Sequence, residues 1–208
     1  MFPQSLIKLK YMERYNLALA AKKIYDTGIC FFDIKSLNHI LKIKKHSTFY
    51  FVLRQLISQK ILIKIEKNKY LLENSKINDF TLSNFLYSPS YISFESALNY
   101  YGILPQFSYE ITASTTKKTR IKKFDDKVFS YFHIKKELFW GYQKINDFLI
   151  ALPEKAVCDY LYFEAKGLKK INIDELNLKG LNKEKIKRFI SRYPLTKQTY
   201  KIRKILNL

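Results

Sequence analysis

Residues 33–72 read DIKSLNHILKIKKHSTFYFVLRQLISQKILIKIEKNKYLL, and this stretch decides the fold of the amino-terminal part of the chain. Its first segment predicts a short helix with the Asp33 carboxylate as the N-cap. The apolar side of that helix carries Leu37, Ile40 and Leu41. Lys42 to Lys45 leave room for only a few residues of turn, so a second helix is expected to follow at once.

The second helix of this stretch is amphipathic. Apolar residues recur at the spacing of one helical face, which must point into a core: Phe49, Val52, Leu53, Leu56 and Ile57. The opposite face carries Ser47, Thr48, Tyr50, Phe51, Arg54, Gln55 and Ser58. Ser47 is the expected N-cap. The first turns of this helix are therefore predicted to be exposed and polar.

A hairpin is predicted directly after the second helix. Ile61 to Ile65 alternates apolar and other side chains, Glu66 to Asn68 suits a turn, and Lys69 to Leu72 returns as a strand. Lys64 and Lys67 lie on or near the tip, where a lysine can rest against a phosphate backbone. The order of helix, turn, helix and basic hairpin predicts a winged helix-turn-helix, and duplex DNA is its expected ligand. A pure packing or dimerisation module remains the alternative for this segment.

The distribution of charge supports a polyanionic partner. The net charge is +20, and residues 1–77 carry 15 Lys and Arg against 5 Asp and Glu. Residues 78–165 carry 10 against 10, and residues 166–208 carry 13 against 3. Both ends are thus basic, and neutralising phosphates there would release counterions. The overall lysine content reflects a composition rich in Lys, Ile, Asn and Tyr, so the uneven placement is the better indicator.

Length and composition fit two small domains. The chain has 208 residues, of which 47% are hydrophobic and 16% aromatic. Only Cys30 and Cys158 are present, and neither a signal peptide nor an apolar run of membrane-spanning length is apparent. We therefore expect a protein of a reducing cytoplasm without a membrane partner. The expected boundaries are 1–77 for the winged domain, 78–90 for a connecting helix and loop, and 91–208 for the second domain.

The remaining helices are predicted from periodicity and capping residues. One spans Met12 to Asp26 and ends at Gly28, and one spans Ser93 to Tyr101 with Ser93 as its cap and Gly102 as its stop. Pro153 and Glu154 favour the start of another. The first helix is expected to bury Leu17, Ala18, Ala21, Ile24 and Tyr25, and the helix after Pro153 to bury Ala156, Val157, Tyr160 and Leu161. Two basic helices, 182–191 and 195–206, are predicted near the carboxyl end.

Four strands are predicted in the second domain: 109–115, 118–124, 128–134 and 148–152. Asp125 and Asp126 form the expected turn of a hairpin. The second domain is therefore predicted to be mixed, with a small, mainly antiparallel sheet and flanking helices, and the whole chain to be α+β.

Several motifs together resemble one known family. They are YISFESALNYYGILPQ (91–106), YEITASTTKKTR (109–120), FSYFHIKKELFWGY (129–142), IALPEKAVCDYLYF (150–163), IDELNL (173–178) and KIKRFISRYP (185–194). In their order and length, with the winged domain ahead of them, they resemble the AbiEi-type antitoxins, which are transcriptional regulators of viral defence systems. The resemblance covers nearly the whole chain, and no single motif carries it alone.

The resemblance implies a prokaryotic, that is bacterial or archaeal, repressor encoded beside a nucleotidyltransferase-like toxin. Such a protein binds repeats in its own promoter and counteracts the toxin through its second domain, and the family does not require stable contact with the toxin. The base-reading role falls on Ser47, Thr48, Tyr50 and Arg54. Phosphate contacts fall on Lys44, Lys45, Lys64, Lys67 and Lys69. Inverted half-sites, with two copies meeting on the DNA, are expected of a helix-turn-helix reader.

The family's second-domain motifs map to Tyr91, Ser96, Thr115, Thr116, Lys117, Thr119, Arg120, Tyr131, Pro153, Glu154 and Lys155. No chemistry is assigned to them. A second functional surface is expected at Lys117, Lys118, Arg120, Lys187 and Arg188. Thr115 to Arg120 read as one strand that binds nucleic acid or a partner, or as an edge strand whose lysines prevent unwanted pairing. The basic helix at 182–191 clamps flanking DNA or is simply solvated.

Two other classes of function remain as alternatives. Three histidines without metal-ligand spacing and five glycines without a phosphate loop favour a protein that is not an enzyme and needs no cofactor. A metal-dependent nuclease would require Asp125, Asp126 or Glu154. An RNA-binding or adaptor protein would instead use the basic carboxyl-terminal helices.

Overall fold

A computed structural model of the chain describes residues 16–105, 109–170 and 175–194, and it is mixed α+β. The chain divides into two compact units, Met1–Ile77 and Asn78–Leu208. In the described part of the chain, no helix has the length and apolar character needed to span a membrane.

The amino-terminal unit alternates helices with a small sheet. Its elements are α1 (Leu17–Tyr25), β1 (Phe31–Asp33), α2 (Ile34–Leu41), α3 (His46–Ser58), β2 (Leu62–Glu66) and β3 (Lys69–Leu72). The strands form an antiparallel sheet in the order β1-β3-β2. The predicted hairpin is therefore confirmed, and β1, which the sequence pattern did not reveal, adds a third strand to it. Three residues are too few to show a period.

Helix α2 begins as predicted. The Asp33 carboxylate accepts a hydrogen bond of 2.7 Å from the Ser36 amide, and the Ser36 hydroxyl accepts one of 3.0 Å from the Asp33 amide. This reciprocal pair is a capping box with serine in the place of the usual Glu or Gln. The helix ends at Lys42, whose left-handed backbone, with φ of 52°, turns the chain towards α3.

The predicted N-cap of α3 is wrong by two positions. Helix α3 begins at His46, and the capping position is Lys45, whose side chain makes no capping bond. Ser47 therefore lies in the first turn rather than ahead of it. The predicted buried face is confirmed at Phe49, Val52, Leu53 and Leu56, while Ile57 is half-buried against the same core.

The first helix confirms part of its predicted buried stripe. Asn16 caps it by accepting a bond of 3.1 Å from the Leu19 amide, and the predicted Met12–Arg14 start lies outside the described residues. Ala20 and Ile24 are the buried residues, whereas Tyr25 is 51% exposed. Of the predicted stripe, Ile24 is buried and Leu17 and Ala21 pack against the core, whereas Ala18 and Tyr25 are exposed.

The second unit contains one large sheet with helices packed on it. Its elements are α4 (Asp79–Leu86), β4 (Ser90–Ile92), α5 (Phe94–Tyr100), β5 (Glu110–Thr115), β6 (Arg120–Phe124), β7 (Lys127–His133), a 3₁₀ turn (Lys136–Leu138), β8 (Tyr142–Ile145), β9 (Phe148–Ala151), α6 (Pro153–Ala165) and α7 (Lys183–Ile190). The strand order is β6-β7-β5-β4-β9-β8. Three neighbouring pairs are antiparallel and two, β5 with β7 and β4 with β9, are parallel. The sheet is thus mixed and larger than the four predicted strands.

Helix α4 lies within the second unit. It buries Leu82, Ser83 and Leu86, and the Ser83 carbonyl accepts a bond of 2.7 Å from the Tyr131 hydroxyl on β7. Asn78 caps the helix by accepting from the Phe80 amide at 2.8 Å. The segment expected to connect the domains is therefore a packed part of the second core.

Helix α6 begins at Pro153 as predicted but is buried nearly all round. Besides the four predicted apolar residues, its buried set includes Glu154, Lys155, Cys158, Asp159, Tyr162, Phe163 and Ala165. It packs against α5, β9 and α7. The predicted turn at Asp125 and Asp126 between β6 and β7 is also confirmed, and Asp125 there adopts a left-handed φ of 53°.

The capping box at α2 generates a stability prediction. Asp33→Ala is expected to lower the free energy of unfolding of the amino-terminal unit by about 1 kcal/mol, because an N-cap is lost. The bond from the Ser36 amide lowers the pKa of Asp33, so the ionised carboxylate is the stabilising form. Its contribution is present at neutral pH and is lost as the pH falls through the lowered pKa.

Urea unfolding followed by circular dichroism measures this loss, since the single tryptophan, Trp140, reports on the other unit. Asp33→Asn is the matched control, because it keeps an acceptor without the charge and should lose less than Asp33→Ala. A loss for Asp33→Ala that is as large in strong acid as at neutral pH would contradict the cap.

Candidate nucleic-acid interface

The outward side of α3 and the tip of the β2–β3 hairpin carry the predicted DNA-contacting residues. Lys44, Lys45, Ser47, Arg54, Lys64 and Lys67 are exposed, whereas Thr48, Tyr50 and Lys69 are half-buried. Every one of these nine side chains therefore has accessible surface within the described part of the chain. Ser47, Thr48, Tyr50 and Arg54 belong to α3. The opposite face of this helix is fixed in the core by Phe49, Val52, Leu53 and Leu56.

Tyr50 and Arg54 form the centre of this surface. They are one helical turn apart, and the Arg54 Nε atom donates to the Tyr50 carbonyl at 3.3 Å. The Tyr50 ring lies 4.6 Å from the His46 ring and 5.3 Å from the Phe49 ring, centroid to centroid. The aromatic contacts limit the rotation of Tyr50, and the guanidinium Nη atoms of the exposed Arg54 remain available to accept a planar partner.

The hairpin tip is shaped by a turn at Lys67 and Asn68. Asn68 adopts a left-handed φ of 63°, which asparagine tolerates better than most residues. The register of β2 shifts between Lys64 and Glu66, as in a β-bulge. Lys69 lies 3.4 Å from the Glu66 carboxylate, so part of its charge is balanced within the hairpin. Glu66 therefore offsets the charge of Lys69, and Lys64 and Lys67 are the exposed lysines of the three.

The electrostatics of this region are one-sided. Residues 42–69 contain eight Lys or Arg and a single acidic residue, Glu66. The first turn of α3 contains no acidic residue that would balance Lys44 and Lys45. The helix dipole adds partial positive charge at this same end. Lys44, Lys45 and the backbone amides of the first turn thus form a region that attracts anions.

In the second unit, the predicted strand from Thr115 to Arg120 is wrong. Thr115 ends β5 and Arg120 begins β6, and the residues between them form the connecting loop. Thr115 is buried and donates to the Pro89 carbonyl at 2.7 Å. Lys117 is exposed, and its ammonium donates to the Ser88 carbonyl and lies 5.3 Å from the centre of the Tyr87 ring. Lys118 and Arg120 remain exposed.

The basic helix α7 is also exposed on one side. The predicted helix at 182–191 is confirmed, and Asn182 caps it by accepting from the Lys185 amide at 3.0 Å. Lys187 and Arg188 are exposed, and Lys187 lies 3.4 Å from Glu184 on the same helix. Ile186 and Ile190 are buried, so this side of α7 fixes it to the unit. The second predicted basic helix, 195–206, lies outside the described residues.

A buried polar network in the second unit was not found from the sequence. Lys155 and Asp159 lie one turn apart on α6, both side chains are fully buried, and they form an ion pair. The Lys155 ammonium also donates to the hydroxyls of Tyr193, at 2.6 Å, and Tyr91, at 3.1 Å. Those hydroxyls donate to Asp159 at 2.6 and 2.9 Å, and the Ser93 hydroxyl does so at 2.9 Å. The predicted capping role of Ser93 is therefore wrong.

Burial and the neighbouring Asp159 carboxylate shift the two tyrosines of this network. The pKa of Tyr91 and of Tyr193 is raised well above the usual tyrosine value, first by desolvation and then by Asp159. Both hydroxyls are therefore protonated donors at physiological pH. The network is self-satisfied, since each ammonium proton and each carboxylate oxygen has a partner inside it, and it is a structural element rather than a reactive centre.

Lys155 also lies in an aromatic enclosure. Its ammonium is 4.9 Å from the centre of the Trp140 ring, and the Arg192 guanidinium lies 3.9 Å from the same ring. Gly141 approaches the aliphatic part of Lys155 so closely that a Cβ there would meet the Lys155 Cγ at 3.1 Å. The φ of Gly141 is 72°, a second reason for glycine at this position. In the sequence, the only local sign of this ion pair is the i, i+4 spacing of Lys155 and Asp159.

The residues of the nuclease alternative lie in different settings. Asp125 and Asp126 are exposed in the β6–β7 turn, whereas Glu154 is buried at the start of α6 and pairs with Lys185 at 2.8 Å. Among residues 16–105, 109–170 and 175–194, no group of three or more His, Cys, Asp or Glu has the arrangement of a metal site. Burial raises the pKa of the Cys158 thiol, so that thiol is not activated as a nucleophile.

Neither a protein-family model nor a curated protein matches this chain.

The Lys155–Asp159 pair gives a quantitative test of the network. Lys155→Met and Asp159→Leu are each expected to lower the free energy of unfolding by about 3–5 kcal/mol, since each leaves one buried charge without its partner. The double variant removes both charges, so its loss should be smaller than the sum of the single losses. Urea unfolding followed by the fluorescence of Trp140 measures all three.

The exposed pair Lys187 and Glu184 on α7 provides the matched control. Lys187→Met and Glu184→Leu should each change the free energy of unfolding by less than about 0.5 kcal/mol. Strictly additive losses in the Lys155 and Asp159 series would show that the two side chains do not act as a pair.

Proposed function

We propose that this chain is a DNA-binding transcriptional repressor whose amino-terminal unit is a winged helix-turn-helix domain. Helices α2 and α3 would be the helix-turn-helix pair, α3 the recognition helix, and the β2–β3 hairpin the wing. The observation that carries the proposal is the two-sided character of α3. Its apolar face is buried, and Ser47, Tyr50 and Arg54 lie on the side that has accessible surface.

The size and shape of α3 suit the major groove. The major groove of B-DNA admits one α-helix, and helix-turn-helix proteins read bases with the first turns of the recognition helix. Ser47 and Thr48 lie in the first turn of α3, with Tyr50 and Arg54 in the next two. Arg54 is the residue best suited to a guanine, because an arginine can bind the O6 and N7 atoms together.

Lysines around α3 would hold the phosphate backbone. Lys44 and Lys45 precede the helix, and Lys64 and Lys67 lie on the hairpin, so the cations lie both before the helix and beyond its end. Such contacts fix the register of a protein on the duplex without reading its sequence. Two copies on inverted half-sites, about one helical turn apart, are the arrangement that helix-turn-helix proteins usually adopt.

The biological role that we propose is that of an antitoxin. The motifs listed for residues 91–194 resemble those of the AbiEi-type antitoxins, and this resemblance supports autoregulation of an operon that also encodes a nucleotidyltransferase-like toxin. The second unit would counteract the toxin without requiring a stable complex. Several residues of these motifs hold the fold: Tyr91 and Lys155 belong to the buried network, and Tyr131 ties β7 to α4.

Base reading and phosphate binding are separable by mutation. Arg54→Ala is expected to cost about 1–3 kcal/mol on the preferred site, or roughly 5- to 150-fold in Kd, because a bidentate base contact is lost. Lys67→Ala should weaken binding to all sequences alike and lower the slope of log K against log salt by about one unit. Gel shifts with the upstream region of the gene and with random duplex measure both.

Lys22→Ala is the matched control, since Lys22 is exposed on α1 and carries the same charge outside α3 and the hairpin. It should leave the preference for the upstream region unchanged. Equal losses of Arg54→Ala on specific and random DNA would remove the assignment of α3 as the recognition helix.

The antitoxin role has its own test. Coexpression of the full chain with a nucleotidyltransferase-like protein encoded beside it should restore growth, and a variant carrying both Arg54→Ala and Lys67→Ala should still do so, because we assign neutralisation to the second unit. A promoter fusion with lacZ should lose repression in the same variant. Failure of the wild-type chain to restore growth, with repression intact, would leave a repressor that is not an antitoxin.

A further inference from the structure

Strand β6 lies at the outer end of the sheet in the second unit. Within the described part of the chain it pairs with β7 alone, from Arg120 opposite Tyr131 to Phe124 opposite Lys127. An outermost strand presents backbone amides and carbonyls that a further extended segment can bind. Proteins commonly protect such an edge with charged side chains, so the side chains of β6 decide whether this edge is closed.

The charges on β6 and in the loop before it are all positive, whereas the turn after it carries Asp125 and Asp126. Residues 116–124 contain five Lys or Arg and no Asp or Glu. Lys122 is half-buried and donates to the Leu86 carbonyl at 2.9 Å, and the exposed Lys117 donates to the Ser88 carbonyl. The two ammonium groups lie 5.1 and 5.3 Å from the centre of the Tyr87 ring. Lys118, Arg120 and Lys123 are also exposed.

An apolar side chain lies between these exposed cations. Ile121 is 65% exposed, more than any other aliphatic side chain among the exposed large hydrophobics of the described residues. The opposite edge strand, β8, shows no such residue: its Tyr142 and Ile145 are half-buried, and Gln143 and Lys144 are its exposed residues. Lysines alone would protect β6 from pairing, but the exposed isoleucine offers a partner an apolar contact.

We propose that the β6 edge binds an extended acidic segment of a partner protein by strand addition. The backbone of the segment would pair with β6, its carboxylates would meet Lys118, Arg120 and Lys123, and an apolar residue would cover Ile121. A single-stranded nucleic acid fits this edge less well, because stacking requires an open aromatic ring and the Tyr87 ring is covered by Lys117 and Lys122. This inference does not rest on DNA binding by the amino-terminal unit.

The test uses the full chain and a fluorescein-labelled pool of peptides of about eight residues, long enough to cover one strand. Each position of the pool is either Glu or one of Val, Ile, Thr and Phe, because Ile121 and Lys123 lie on one face of β6 and Arg120 lies on the other. We expect binding by fluorescence anisotropy, together with slower amide hydrogen exchange in residues 120–124. A pool with Pro at its centre should bind at least about tenfold more weakly, since proline removes a ladder hydrogen bond.

Variants assign the site. Combining Arg120→Glu with Lys123→Glu should weaken the binding about tenfold or more, and Ile121→Thr, which keeps a β-branched residue, should weaken it less. The matched control combines Lys135→Glu with Lys144→Glu, which reverses two exposed charges of the same unit away from β6. Circular dichroism checks that each variant is folded.

Three results would overturn the proposal. One is that no member of the pool binds. Another is that poly-glutamate binds as tightly as the pool without slowing exchange in residues 120–124, which would reduce the effect to charge. The third is that single-stranded RNA of equal charge binds more tightly than the pool and depends on Arg120 and Lys123, which would make this edge a nucleic-acid surface. None of these results bears on DNA binding by α3.

Discussion

The second unit depends on one buried ion pair, between Lys155 and Asp159. Burying a charged lysine and a charged aspartate away from water raises the free energy of the folded state. The pair is tolerated here because Tyr91, Ser93 and Tyr193 satisfy every remaining hydrogen bond. These groups come from β4, the start of α5, α6 and the segment after α7. The network therefore connects the sheet to α6 and to the segment that follows α7. Its geometry accepts only one arrangement of these elements, because displacing any of them would leave a buried charge or hydroxyl unpaired. The unit can therefore present its surface groups from a fixed framework.

The amino-terminal unit achieves the same kind of fixation by a different means. Its core is apolar, from Ala20 and Ile24 on α1 to Leu62 and Tyr70 on the hairpin, and α3 contributes four buried side chains to it. A helix held on one side by packing keeps the other side at a constant angle to its neighbours. Tyr50 is further restrained by the rings of His46 and Phe49. A side chain that is restrained before binding loses less conformational entropy when it binds a ligand.

Much of the fold was predictable from local chemistry, and the errors follow from specific causes. Asp33, Pro153 and the Asp125–Asp126 turn were predicted correctly because one or two residues determine those conformations. The cap of α3 was misplaced because a serine near a helix start is usually its cap, whereas here tertiary packing begins the helix at His46 without a side-chain cap. The short strands β1 and β4 escaped because three residues show no period and their pairing partners are distant in sequence. Strand β8 pairs with the adjacent β9, and it escaped because its residues, Tyr142 to Ile145, do not alternate between apolar and polar side chains.

The residues of the candidate sites were likewise predictable only where local sequence determines their environment. The exposed residues of α3 and the hairpin could be named in advance because an amphipathic helix reveals both its faces, and nine of nine retain accessible surface. Lys155 was named only as a motif position without a role, because an isolated lysine in a sequence is normally solvated and only the fold brings Asp159, Tyr91 and Tyr193 around it. Its i, i+4 partner was the only local sign, and surface helices show that spacing as well.

The basic surface at α3 and the hairpin differs from the basic edge at β6 in the uncharged groups that lie beside the cations. The cations at α3 and the hairpin accompany a convex helix with hydroxyl, phenol and guanidinium groups, which suits a groove lined by phosphates and base edges. The cations at β6 accompany a straight strand edge and an exposed isoleucine, and neither feature has a counterpart on a DNA duplex. Positive charge attracts any polyanion to either place, so the charge alone does not choose the ligand. The choice follows from the uncharged groups beside the cations, which are hydrogen-bonding side chains in one unit and open backbone with an aliphatic side chain in the other.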